Sequence, residues 1–342
     1  MRAVLSGAVG LGAILVCQAA SAGEVAKEVN VYSSRHYSTD QTLYDGFTDA
    51  TGISVKLIEA KGDALIERLQ AEGDASPADV FITADASRLA RAVEAGLFQP
   101  ISSEALDAAV PANLHHRDGL WFGLSTRVRG IVYAKDRVQP EEIPTYESLA
   151  DPAWEGRVCI RSSSNIYNQS LMSSMIATNG LDAAEGWARG IVANMARKPQ
   201  GGDTDQIRAV AAGECDVAVA NHYYLARLIS SDKPEDTQVA EAVGIVFPNQ
   251  DDRGAHANIS GGGVAAHAPH KDAAIAFLEY LVTPDAQAYF ADGNHEWPVV
   301  EGVKLSPVLE GWGGFETDDI AVEIYGQNNA VALKAMDRAG WQ

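Results

Sequence analysis

Four tyrosines stand where a folded chain could use them for ligand chemistry. Tyr37 closes the polar segment Ser33-Ser34-Arg35-His36-Tyr37. Tyr167 lies in Ser162-Ser163-Ser164-Asn165-Ile166-Tyr167-Asn168. Tyr223 and Tyr224 follow Asn221 and His222. Each segment comes after a run that reads as a strand, and loops at the carboxyl ends of strands are where α/β proteins bind ligands. A phenol has a pKa of about 10 and is neutral at pH 7. A bound cation removes its proton and makes it an anionic oxygen ligand, with an affinity that depends on pH. The pair Tyr223-Tyr224, taken alone, fits core packing with a satisfied hydroxyl equally well. Neighbouring residues of a regular strand point to opposite faces. His36 with Tyr37, and Tyr223 with Tyr224, can therefore meet one ligand only in a turn after the strand or at a strand-to-helix junction.

Other chemistry finds little support. The chain has no G-x-x-x-x-G-K-[ST], G-x-S-x-G, H-E-x-x-H or C-x-x-C, the signatures of nucleotide, hydrolase, zinc-protease and redox sites. Gly261-Gly262-Gly263 lacks the dinucleotide-binding spacing, and His295-Glu296 lacks a second histidine. Glu59, at the end of a predicted strand, is a weaker oxygen donor candidate. His222 is expected to be structural, and His115, His116, His256, His267 and His270 solvated or capping.

The elements that would position the tyrosines alternate. Strands are predicted at Val29 to Tyr32, Ile53 to Ile58 and Ala78 to Thr83. Helices follow them, the first capped by Thr39 or Asp40 and ended by Gly52, the second opening at Asp63, the third capped by Ser87. This rhythm means parallel strands with crossover helices. Two extended segments, Trp121 to Leu124 and Gly130 to Tyr133, flank Arg127 and Arg129, and a crossing between domains is expected near Ser125-Thr126. A second unit has strands at Arg157 to Arg161 and Val217 to Ala220, and helices at Asn168 to Thr178, Asp182 to Met195 and Asp203 or Thr204 to Ala212. Another extended run, Val243 to Phe247, comes after Asp232-Lys233-Pro234. Two α/β units joined by more than one crossing predict two lobes around a cleft, able to close by hinge motion. The expected division is residues 23–126 with 251–300, and residues 127–250 with 301–342.

Composition sets the setting. The 342 residues carry a net charge of −20, which argues against nucleic acid or an anionic membrane surface as partner and fits a cationic ligand. Arg2, the small and apolar run to Val16, and Ala20-Ser21-Ala22 read as a secretory signal over residues 1–22, too short to span a bilayer. Its removal leaves two of the three cysteines, Cys159 and Cys215. Both lie at the start of predicted neighbouring strands, which suggests either a disulfide in an oxidising compartment or two buried thiols.

The tyrosine segments, together with Phe247-Pro248-Asn249-Gln250, Arg253-Gly254 and Asn258-Ile259-Ser260-Gly261-Gly262-Gly263, resemble the periplasmic ferric-iron-binding proteins of bacterial ABC importers, of the FutA-like branch. The resemblance runs over essentially the whole mature chain in order and spacing. It implies a two-lobed periplasmic binding protein of type II, with mixed sheets flanked by helices and a ligand cleft between the lobes. It implies a monomeric carrier, not an enzyme, that delivers Fe3+ to a membrane permease with a cytoplasmic ATPase. By motif, the implied iron ligands are Tyr37, Tyr167, Tyr223 and Tyr224, with His36 as a possible fifth. Ferric iron is hard and favours anionic oxygen. Three phenolates would balance its charge and four would leave −1, which Arg35, Arg129 or Arg161 could offset. Two other ligand schemes fit the tyrosines: an organic cation such as a polyamine, stacked on the rings, and an iron-tyrosinate enzyme with an open coordination position.

Overall fold

Alternating apolar residues build the first strands. In β1 (Glu28–Ser33), Val29 and Val31 face one core while Tyr32 faces another, as the period of two requires. The computed structural model describes residues 27–35 and 37–342. The signal sequence expected over residues 1–22, and His36, lie outside the described residues.

The other strands are β2 (Ser54–Glu59), β3 (Val80–Ala84), β4 (Phe122–Ala134), β5 (Val158–Cys159), β6 (Val217–Asn221), β7 (Val243–Val246) and β8 (Ala257–Val264). Their order is β2-β1-β3-β8-β4-β6-β5, with β7 also on β4. The pairs β1–β2, β1–β3 and β5–β6 are parallel, as expected, and every pair made by β4 or β8 is antiparallel. The sheets are therefore mixed, with helices on their faces.

β4 replaces the two separate extended segments of the sequence reading. It is one strand of 13 residues. Phe122 to Val128 pair with β8, and Arg129 to Tyr133 pair with β6. The arginines do not break it, because both guanidiniums are buried against carboxylates (below). Its first half belongs to a core with Val80, Ile82, Phe122, Leu124 and Phe277. Its second half sends Ile131 to a core with Trp154, Leu171 and Val219, and Val132 to another with Val210, Ala218 and Leu225. Close approach of β8 to its neighbours needs glycine: a Cβ on Gly263 would lie 2.1 Å from the Leu120 carbonyl oxygen.

Two local expectations shift. The helix Ala86–Glu94 is capped by Asp85, whose side chain accepts from the Ser87 amide, so Ser87 sits inside the helix. The chain after Lys233 is a helix, Pro234–Ala242, with proline in its first turn and Glu235 and Asp236 beside it. Periodicity does not announce it, since Asp236 is its one buried residue. The last helix, Glu323–Arg338, runs across both lobes. Tyr325 packs with Leu89 and Ile259, and Ala332, Ala335 and Met336 pack with Leu171 and Met172.

Cys159 ends β5 and Cys215 leads into β6, and the two form a disulfide with Cα atoms 5.8 Å apart, closing a separation of 56 residues. A loop of that length restricts the unfolded chain strongly. Replacing both cysteines by alanine should lower stability by about 3–4 kcal/mol, read as an earlier urea midpoint. The same shift should appear when the parent protein is unfolded with excess reductant.

Candidate functional site

The four tyrosines sit at the starts of helical turns, the junctions that let adjacent residues share a ligand. Tyr37 precedes the short turn Ser38–Asp40 after β1. Tyr167 is the second residue of the helix Ile166–Asn179, and Tyr223 and Tyr224 are the second and third of His222–Ile229, which starts where β6 ends. Unpaired amides and the positive ends of these two helices favour negative charge on the phenols.

Three of the hydroxyls converge on one guanidinium. Arg127 Nη2 donates to the Tyr37 hydroxyl at 2.9 Å, and Nη1 lies 3.4 Å from that of Tyr167 and 3.5 Å from that of Tyr223. The Tyr223 and Tyr224 rings are 4.4 Å apart, and Asn221 Nδ2 donates to the Tyr223 hydroxyl at 3.2 Å. Arg227 lies over the rings of Tyr37 at 4.3 Å, Tyr223 at 5.0 Å and Tyr224 at 5.9 Å. The four phenols thus gather from segments that are distant in sequence. His36 lies outside the described residues.

Burial holds protons on the inner phenols. Tyr223 is fully buried, which pushes its pKa well above 10; Arg127 opposes the shift and the neighbouring tyrosines reinforce it. Tyr224 is raised by burial first, then by Tyr167 and Asp203. Removing these protons therefore needs a strong positive charge close by.

Arg127 is held by a chain of alternating charges. It donates to Glu296 Oε1 at 2.7 Å. Glu296 Oε2 accepts from Arg35 at 2.8 Å and from the Ser125 hydroxyl. Arg35 donates in turn to Asp40 at 2.8 Å, which also accepts from Asn294 at 2.8 Å. All of these groups are buried. A second group forms around Asp203, which accepts from Arg161 at 2.6 Å and from Arg129 at 3.3 Å.

The sequence candidates for charge compensation, Arg35, Arg129 and Arg161, are thus each paired with a carboxylate. Arg127 and Arg227 are not among those candidates, nor are Glu296 and Asp203. The signal for Arg127 was present as an arginine alternating with a second one inside an otherwise apolar strand, since a buried charge demands a partner. Glu59 is exposed at the end of the edge strand β2. His222 is structural, as expected. Its Nδ1 accepts from the Val128 amide at 3.1 Å and its Nε2 donates to the His295 carbonyl at 2.8 Å. Burial pushes it down to about 4, so the ring is neutral at pH 7. His256 is buried against Tyr325, contrary to the solvated or capping role expected for it.

The profile of bacterial extracellular solute-binding proteins matches residues 75–311. Iron uptake protein A1 of Synechocystis sp. (strain PCC 6803) is 51% identical over 316 residues, covering 92% of this chain and 88% of that protein. The Trichodesmium FutA (IdiA) structure, in complex with iron and citrate, is 59% identical with a TM-score of 0.90. It covers 92% of this chain and 100% of that one. A ferric binding protein from Campylobacter jejuni is 40% identical with a TM-score of 0.87, again covering 92% and 100%.

Glu296 makes the charge chain measurable. Burial alone would raise its carboxyl, but Arg127 and then Arg35 outweigh burial and hold it at about 2, below the ordinary 4.5. A depressed folded pKa contributes stability that is present above pH 4.5 and is lost as the pH falls toward 2. The contribution is about 3 kcal/mol. Urea midpoints measured from pH 5 to pH 2 should fall steeply in the parent protein, and Glu296→Gln should flatten that slope.

Proposed function

We infer that this chain, which belongs to the bacterial extracellular solute-binding protein family, captures ferric iron between its two lobes and delivers it to an ATP-driven importer. The observation that carries this is the gathering of Tyr37, Tyr167 and Tyr223 around Arg127, with the Tyr224 ring beside that of Tyr223. Four phenols on hard oxygen, with no carboxylate or thiol among them, suit a compact trivalent ion. The lobes are taken as residues 23–126 with 251–300, and 127–250 with 301–342.

Iron docks first on Tyr167, Tyr223 and Tyr224. Hinge closure then brings Tyr37, with His36 as a fifth donor. Each phenol that binds gives up its proton, so loading acidifies the medium and affinity rises with pH. Arg127 and Arg227 then face phenolates instead of phenols, and the charge of Arg227, which pairs with no carboxylate among the described residues, offsets the excess of four anions over a +3 ion. No covalent bond of a substrate is made or broken, so the protein acts as a carrier and not as an enzyme. It works as a monomer in the periplasm, and the loaded, closed form docks on a membrane permease coupled to a cytoplasmic ATPase.

An organic cation is the other ligand class that tyrosines serve, and this site disfavours it. Such a ligand needs an acidic residue opposite the rings. Two buried carboxylates about the site, Glu296 and Asp203, are each committed to two guanidiniums, and Arg227 already covers three of the rings.

Titration of the iron-free protein with Fe3+ should produce a visible phenolate-to-iron charge-transfer band, with protons released in step. Tyr223→Phe combined with Tyr224→Phe should abolish the band. A band that survives the double substitution, or no band in the parent, would overturn the assignment. Calorimetry with a polyamine should show no binding.

A further inference from the structure

Asp85 has a backbone that L residues avoid, with φ 85° and ψ 124°, and its side chain is buried. Such strain persists only where surrounding contacts hold it, and it gathers at functional sites. Asp85 Oδ1 accepts from the Ser87 amide at 2.9 Å and from the Ser170 hydroxyl at 2.7 Å. A carboxylate can only accept, so the single proton of Ser170 is committed to Asp85. The Ser87 hydroxyl, 2.9 Å from that of Ser170, must then donate to it. Both serines are fully buried.

This triangle joins the two lobes. Asp85 and Ser87 open the helix Ala86–Glu94, whose Ala86 and Leu89 pack with Phe81 and Trp121. Ser170 lies on the helix Ile166–Asn179, whose Leu171 and Met172 pack with Trp154 and Val219. Ser170 is three residues after Tyr167, one turn along the same face. Asp85 also lines one small polar pocket together with Tyr167, Arg127, Arg129 and His256, and its second oxygen, Oδ2, has no hydrogen-bond partner there.

We propose that Asp85, acting through Ser170, is a positioning residue for Tyr167: it fastens the first turns of the tyrosine-bearing helix to the opposite lobe, so that retention of iron on Tyr167 depends on the lobes being joined. The proposal rests on Tyr167 being an iron ligand. Opening the lobes breaks the Ser170 bond, hydrates the carboxylate and frees Tyr167 to move. The tether therefore acts on the rate of release.

The test follows iron loss from the loaded full-length mature protein to excess chelator, through the decay of the visible band. Asp85→Ala and Ser170→Ala should each release iron about tenfold faster, the effect of one hydrogen bond to a charged group. Asp85→Asn keeps an acceptor and tolerates the positive φ, and should release at nearly the parent rate. Ser103→Ala removes the side-chain cap of the helix Glu104–Ala109, within one lobe, and should leave release unchanged. Release from Ser170→Ala within twofold of the parent overturns the proposal, and so does equal acceleration by Ser103→Ala. A parent protein without the band instead overturns the assignment of Tyr167 on which the proposal stands.

Discussion

The site depends on keeping one guanidinium charged where water does not reach. Arg127 is 2% exposed, and a buried cation must be paired and hydrogen-bonded or its desolvation goes uncompensated. Glu296 pairs with it, Arg35 pairs with Glu296, and Asp40 pairs with Arg35. Two cations and two anions alternate, so the chain is neutral as a whole. Its members come from the turn that holds Tyr37, from the middle of β4, and from the segment after the helix Pro284–Gly293. The need to neutralise Arg127 thus fixes where these three parts of the chain meet, and Tyr37 is carried to the phenol cluster between Arg35 and Asp40.

β4 follows from the same constraint. A strand with two arginines in its centre could not run unbroken through a protein interior unless both were matched. Glu296 matches Arg127, and Asp203 with Asn168 and Asn221 matches Arg129. Once they are matched, β4 can pair with β8 in one lobe and with β6 in the other. The tyrosines at the end of β6 and the tyrosine after β1 are then held on opposite sides of one shared strand. Val128, at the crossing, packs with Phe247, Ala255 and Ala257, and with Trp297 and Phe315 around them. This is an apolar collar about the place where the lobes join.

Much of this was legible in the sequence because it is local. Strand periodicity, the αL glycine at Gly52, and the polar turns after β1, β5 and β6 placed all four tyrosines at strand ends. The disulfide was legible as a possibility, since two cysteines opened strands that could be neighbours. What was missed depends on distant pairing. Nothing near Arg127 announces Glu296, 169 residues away, and nothing near Arg129 announces Asp203. The continuity of β4 was hidden for the same reason, because its arginines look like a break until their partners are known. The helix Pro234–Ala242 was missed because it rests on capping chemistry and has no apolar stripe to betray it.

The balance of charge also bears on which cation the phenols would take, if they act as proposed. Four phenolates exceed a +3 ion by one unit. Near them, Arg129 and Arg161 share one carboxylate, Asp203, which leaves one surplus positive charge beside Tyr167 and Tyr224. Arg227 faces three of the rings and forms no ion pair among the described residues. This surplus lets a trivalent ion hold all four phenols in their anionic form without a buried net negative charge. A divalent ion supplies a weaker field at each oxygen than a trivalent one, and so displaces fewer protons from phenols whose pKa values burial already raises at Tyr223 and Tyr224. A diffuse organic cation supplies too little field at any one oxygen to displace a proton at all. Discrimination therefore comes from proton displacement against burial, and the arginines set how many protons the ion must displace.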